Sequence, residues 1–404
     1  MHILFLSFFL LGSLTSPSPS PDAQSTVEIR NAPVTYHFGE QVHFQASFFS
    51  HTPIQAVHLF IQPEGQTTRL EPVTLNQRGE VSFIYNAREN PLRPFAPITY
   101  WYKVTLADGS QVDSPPYEFE YIDNRFDWQT LDGDLFKVYW YEGDLAFGQE
   151  VMNTAEAGLR SAQNLLNEVP SVNLKVFVYA NTTDLQQSLQ LAQKPWVAGH
   201  ASPDLGVILV SIPSGPEQHL EMERQIPHEQ MHVLQYQMLG DGYHNLPVWL
   251  SEGMASLAER YPNPEYSRTL NNAVQSQSLL PIQSLCEAFP QESEPAFLAY
   301  AESASFVQYL HQKYGTTRLQ ELMHRYQDGQ GCEEAIDASL GTSLTQLENL
   351  WHQEVFGMNP AAQAFRNLSP YWLLLLLVLL PPAITIYLSW RKARYSRPKG
   401  GNSL

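Results

Sequence analysis

The sequence predicts a multidomain chain: an all-β sandwich first, an α+β domain after it, and one transmembrane helix near the C-terminus. Three observations carry this. Apolar and polar residues alternate in short runs through residues 26–123. From about residue 130 strands and helices follow one another, and from Glu217 to Phe356 nearly everything has a helical period. Residues 371–390 then form an apolar run without a single charge.

The chain begins with "HILFLSFFLLGSL" (2–14), an apolar run too short to span a bilayer comfortably, followed by Ser/Pro-rich "TSPSPSPDAQS". That pattern fits a secretory signal peptide over residues 1–23, although no basic residue precedes the apolar core. An uncleaved N-terminal anchor is the competing reading.

Residues 26–123 read as strands. "VEIRNAPVTYHF", "QVHFQASFF", "AVHLFIQP", "EVSFIYNA", "ITYWYKVTLADGSQV" and "YEFEYI" are rich in Val, Ile, Phe and Tyr, and turn residues separate them. Asp108-Gly109 stands in a hairpin position. Short strands at this spacing suggest a sandwich of immunoglobulin or fibronectin type III kind.

After residue 130 the period changes. Segments 136–141, 174–180 and 206–212 read as strands, and 147–169 and 183–192 as helices, before the helical half begins. One domain over 130–357 accommodates them. Residues 358–370 form a short tether. Residues 371–390, "YWLLLLLVLLPPAITIYLSW", have the length a bilayer core demands and carry Tyr or Trp at both ends. Pro381 and Pro382 would kink that helix. Arg391, Lys392, Arg394, Arg397 and Lys399 follow it, so residues 391–404 read as a basic cytoplasmic tail and the preceding domains face outward.

Those five cations sit in a chain of net charge -18 with 23 basic and 41 acidic residues, and no acidic residue follows position 370. The first 370 residues are therefore left with 18 basic against 41 acidic groups, a net of -23. Such a surface repels phosphate backbones, which argues against nucleic-acid binding. Its plain use is solubility. Lipid contact is expected only through the single-pass helix. The two cysteines, Cys286 and Cys332, lie in the outward part, where an oxidising compartment would allow pairing; two unpaired thiols are the alternative.

The chemistry concentrates in "QIPHEQMHVLQYQ" (225–237). On a helix, His228 and His232 at i and i+4 share one face, so both imidazoles can reach one ion. Glu229 is offset by about 100 degrees, close enough to hold a water at that ion without being its ligand. Zinc suits imidazole ligands and needs no redox partner. A third ligand is needed, and "NLPVWLSEGMASLAER" (245–260) offers Glu252, with nineteen residues between it and His232.

The two blocks together, H-E-x-x-H and then W-L-S-E-G-M-A, resemble the gluzincin metallopeptidases, and more narrowly the peptidase MA-like group. The resemblance covers about residues 130–356. It implies a zincin-like α+β domain that hydrolyses peptide bonds, with His228, His232 and Glu252 as ligands of Zn2+ and Glu229 as the general base that activates water. It also implies a donor for the developing oxyanion. Tyr300, in "FLAYAESASFVQYLHQKYG" (297–315), resembles a tyrosine that recurs on a later helix of the group; Tyr243, His244 and His200 are rivals. Strand 206–212 would pair with an extended peptide substrate as edge strands of that family do, or be plain sheet structure.

Two departures stand out. Thermolysin-like enzymes carry an acidic residue four positions after the glutamate ligand, where it orients a histidine. Here Ser256 occupies that position, and Glu259 falls on a neighbouring helical stripe. Pro227 removes a backbone donor just before His228, so either the helix starts there or a longer helix is kinked. The leading expectation is a membrane-anchored zinc peptidase acting outside the cytoplasm on peptide or protein substrates. The alternatives are a binding or adhesion protein whose sandwich does the work beside an inactive peptidase-like domain, and a structural zinc site.

Overall fold

The computed structural model describes residues 27–166, 173–189, 199–358 and 360–395. The expected signal peptide lies outside them, as does the tail beyond residue 395. Two compact units divide the chain, Met1–Asp127 and Trp128–Leu404.

The first unit is built from two antiparallel sheets. In one, β3 (Gln41–Ser50) pairs with β1 (Val27–Asn31), β2 (Thr35–His37) and β6 (Glu80–Asn86). In the other, β4 (Ile54–Pro63) joins β5 (Arg69–Val73) to β7 (Pro97–Leu106), which also pairs with β8 (Gln111–Asp113) and β9 (Tyr117–Glu120). The period of two decides which side chains turn inward. β3 buries Val42, Phe44, Ala46 and Phe48, and β7 buries Ile98, Tyr100, Tyr102 and Val104. Across the sheets Phe44 meets Tyr100 and Phe48 meets Tyr102, with ring centroids 5.0 and 5.2 Å apart. Gly109 takes a φ of +84° in the β7–β8 hairpin, a conformation that costs glycine little.

The second unit opens with a five-stranded sheet, β10 (Gln129–Asp132), β11 (Phe136–Trp140), β12 (Leu174–Tyr179), β13 (Gly199–Ser202) and β14 (Val207–Ser211), in the order β10-β11-β12-β14-β13. Every residue of β14, "VILVS", is buried, as a strand covered on both faces requires. Strand 206–212, the candidate substrate edge, is thus bonded on both sides: to β12 in parallel and to β13 antiparallel. The sheet instead ends at β13, whose "GHAS" lacks the apolar alternation by which strands are recognised.

Helix α1 (Leu145–Leu166) packs Val151, Ala155 and Leu159 into the core, and α2 (Thr182–Ser188) follows β12. The helical half comprises α3 (Gln218–Leu239), α4 (Val248–Ala258), α5 (Pro264–Ser276), α6 (Ser293–Gln327), α7 (Cys332–Leu340) and α8 (Leu344–Phe356). Pro227 lies inside α3 rather than at its start. Non-helical backbone at Gly315, with φ 78° and ψ 172°, breaks α6 in two. Cys286 and Cys332 form a disulfide. Finally α9 (Pro360–Tyr395) runs through the expected tether into the apolar segment. Its stretch Leu374–Lys392 is long and apolar enough to cross a membrane, and none of it is buried in protein.

Candidate metal centre

Helices α3 and α4 bring the candidate ligands together. His228 and His232 lie on one face of α3, their rings edge to face with centroids 5.2 Å apart, as their i, i+4 spacing dictates. Gln235 ties the two helices. Its Nε2 donates to the Ser251 carbonyl at 3.1 Å, and its Oε1 accepts from the Ser251 hydroxyl at 3.0 Å. Behind Glu252, α4 lies directly on α6. A Cβ on Gly253 would come within 2.4 Å of Val307 Cγ2 and 2.5 Å of the Ser303 carbonyl oxygen. Only glycine permits that approach.

The result is a cluster with one shared corner. Glu252 Oε2 lies 3.2 Å from His228 Nε2 and 3.6 Å from His232 Nε2. Ligand atoms of all three residues fall within 4.8 Å of one another. Ligands at about 2.0–2.1 Å from a tetrahedral ion stand roughly 3.3 Å apart. The donor set therefore fits a single divalent cation. It is also a set of two imidazoles and one carboxylate, which leaves the fourth corner of a tetrahedron open.

The outer nitrogens are held in turn. His228 Nδ1 donates to Glu259 Oε1 at 2.9 Å. This overturns the placement of Glu259 on a neighbouring helical stripe. The helix ends at Ala258, and Glu259 has φ -56° and ψ 132°, so its carboxylate folds back along α3 instead of following the α4 spiral. Pro262, which forces extended backbone just before it, was the available signal. Around His232 Nδ1 stand the Tyr243 hydroxyl at 3.2 Å, Ser251 Oγ at 3.3 Å and Gln235 Oε1 at 3.3 Å. Such partners fix the ring orientation and point Nε2 inward.

Electrostatics follow from burial and crowding. Burial alone would push His228 down, but hydrogen bonds to Glu252 and Glu259 and the charge of Glu229 hold it well above its ordinary value. Burial opposes ionisation of Glu252 as well, yet the imidazoles of His232 and His228 keep its carboxyl far below the usual range. Glu229 is pushed the other way: burial outweighs the two imidazoles, and Glu252 and Glu259 add repulsion, so its affinity for a proton rises. A carboxylate that holds a proton more readily than usual, beside a cation site, is what base and acid work requires.

A cavity of about 550 Å³ opens on this cluster. His228, Glu229 and Glu259 line it together with Tyr266, Phe297 and Tyr300. Tyr300 therefore shares the cavity with Glu229, and the charge of Glu252, then burial, then Glu229 hold its hydroxyl well above its ordinary pKa. Tyr243 stands elsewhere, on the far nitrogen of His232, with burial and the nearby carboxylates raising it to about 12. His244 packs on Tyr236 and Tyr243. His200 sits on β13 beside Gly199, and Gly199 borders the cavity next to Glu229: a Cβ there would lie 2.4 Å from Glu229 Oε1.

Comparison with known proteins gives the same region a family. No curated protein matches the chain. Among solved structures, an M1 zinc metallopeptidase from Deinococcus radiodurans is similar over 80% of this chain and 92% of its own, at 12% identity and a TM-score of 0.38. OgpA from Akkermansia muciniphila is similar over 26% of this chain at 18% identity and a TM-score of 0.21; the match spans 31% of OgpA, about a third of its length. A β-1,3-glucan binding domain of carbohydrate-binding module family 56 is similar over 23% of this chain and 99% of its own, at 12% identity and a TM-score of 0.17. The profile of the Peptidase MA superfamily matches residues 154–357, just over half of the chain and all of helices α3 to α8; the chain belongs to that superfamily.

Proposed function

We propose that the chain is a gluzincin-type zinc peptidase, anchored by its C-terminal helix and acting outside the cytoplasm. One observation carries this reading: His228, His232 and Glu252 converge on one point, and Glu229 lines the cavity beside them. When bound, zinc polarises a substrate carbonyl and makes water a nucleophile near neutral pH.

The chain's residues do the rest. His228, His232 and Glu252 would hold the ion, and Glu259 would keep the proton of His228 on Nδ1, leaving its Nε2 free to ligate. Glu229 takes the proton of the attacking water on its carboxylate and passes it to the departing amine. Its raised proton affinity suits both halves of that exchange. Tyr300 keeps its hydroxyl proton at neutral pH and donates a hydrogen bond to the developing oxyanion. Gly199, which lacks a side chain, lets the Glu229 carboxylate sit directly against β13 at the edge of the cavity. The N-terminal sheets, of immunoglobulin or fibronectin type in this reading, serve as a spacer or recognition module.

The test uses the full chain in detergent micelles, loaded with zinc and offered a broad peptide library. Chelator-sensitive cleavage that Glu229→Gln abolishes while zinc is retained supports the reading. Zinc retention by the wild type without cleavage of any library member overturns it in favour of a binding or structural role.

A further inference from the structure

The cavity is charged unevenly. Among the described lining residues three are carboxylates, Glu229 and Glu259 near the ligands and Glu294 near the start of α6, while the sole Lys or Arg is Arg224. Arg224 lies one turn before His228 on α3 and so on the same face. It is held in place before any ligand arrives. Nη1 donates to Glu221 Oε1 at 2.8 Å, and the guanidinium stands 5.6 Å from the centre of the Tyr261 ring. Glu221 is fixed by Gln225, whose Nε2 reaches the other carboxylate oxygen at 3.0 Å while its own oxygen accepts from the Ser211 amide at 3.2 Å. Arg224 Nε is buried and has no acceptor among the described residues, so the donors left for a ligand are those of the terminal guanidinium nitrogens. A guanidinium offers five donors in a planar fork, so an arginine positioned by one hydrogen bond keeps most of its capacity for a carboxylate.

We infer that Arg224 is a specificity residue that receives a carboxylate of the substrate. This rests on the peptidase reading above. Every other Asp, Glu, Lys or Arg among the described lining residues is a carboxylate, Glu229, Glu259 or Glu294, which would repel a carboxylate of the peptide. One turn of helix separates Arg224 from His228 by about 6 Å along the axis. A peptide advances about 3.3–3.6 Å per residue. The recognised carboxylate therefore lies within about two residues of the scissile bond. It belongs either to an acidic side chain or to a free C-terminus, and the mostly apolar remainder of the cavity, with Tyr266 and Phe297, takes uncharged neighbours.

Two sets of peptides separate the sources on the zinc-loaded full chain in micelles. The first compares an internal Glu with Gln at each position flanking the cleaved bond, with both termini blocked. The second compares a free C-terminal acid with the C-terminal amide in peptides without acidic side chains. The wild type should favour the acid member of one set by at least tenfold in kcat/KM, mostly through KM, as a charged hydrogen bond warrants. In Arg224→Gln that ratio should fall to within about twofold, and Arg224→Lys should recover part of it. A wild-type ratio near one in both sets, or a ratio that survives Arg224→Gln, overturns the inference. Should no peptide be cleaved, fluorescein-labelled members of the same sets are titrated against the same chain. Acid peptides binding tenfold tighter than amides, only with Arg224 present, would retain this inference while the peptidase reading fails; equal binding would remove both.

Discussion

Gly199→Ala is the most discriminating small change available near the site. The glycine backbone there is not in the left-handed region, so alanine meets no conformational penalty and acts through space alone. Its Cβ would lie 2.4 Å from Glu229 Oε1, 3.1 Å from Cδ and 3.2 Å from Cγ. Comfortable non-bonded separations are about 3.5 Å, so the carboxylate must retreat by about 1 Å. These three nearest atoms all belong to Glu229 and none to a candidate ligand. A misplacement of about 1 Å in a catalytic group costs on the order of a hundredfold, or about 2.7 kcal/mol of transition-state stabilisation. Steady-state kinetics on one cleaved peptide, with zinc content by atomic emission and a thermal melt as controls, measures this. Zinc content and melting temperature should match the wild type while kcat falls by one to two orders of magnitude. A kcat within twofold of the wild type would refute the assignment of Glu229 as the base.

Three further outcomes follow from the same geometry. Glu259→Ala should weaken zinc affinity by about 10- to 100-fold in a chelator competition, because His228 loses the acceptor that orients it; unchanged affinity would make the 2.9 Å contact incidental. Tyr300→Phe should lower kcat by about 10²- to 10³-fold with little change in KM, the signature of a donor used only in the transition state. Glu302, fully buried on α6 and accepting from the Leu280 amide at 2.9 Å, has its carboxyl pushed by burial up to about 8. The folded state thus holds a proton that the unfolded chain releases near pH 4.5, so stability is greatest below that pH and falls as pH rises toward 8. The span corresponds to at most roughly 5 kcal/mol. Glu302→Gln, which never ionises, should flatten the fall in melting temperature between pH 5 and 8.5; an unaltered slope would assign it to other groups.

What the sequence showed and what it hid divide along physical lines. Alternation carried the long strands of the first unit because each has one face in a core, as in β3 and β7. The i, i+4 pair on α3 was readable because helical spacing translates directly into a shared face, whereas the glutamate on α4 was reached through the resemblance of the two sequence blocks. β13 was not readable: four small and polar residues at the end of a sheet bury little, and their place is set by pairing with β14. Glu259 escaped because its position depends on where α4 stops, and element ends are decided by capping and tertiary contact more than by period. The partners of His232 Nδ1 come from α3, α4 and the short helical segment between them, a convergence that no linear spacing announces. Pro227 was legible as an anomaly but not in its outcome, since α3 continues past it within a packed interior.

The proposed function requires one divalent cation, shared by His228, His232 and Glu252, that works with Glu229 to cut peptide bonds. Its most direct test is a paired measurement, on the full chain and on Glu229→Gln, of bound zinc and of peptide cleavage. Both proteins should bind about one zinc per chain, and the wild type alone should cleave. Equal cleavage by the two, or a wild-type chain that binds no zinc, would contradict it.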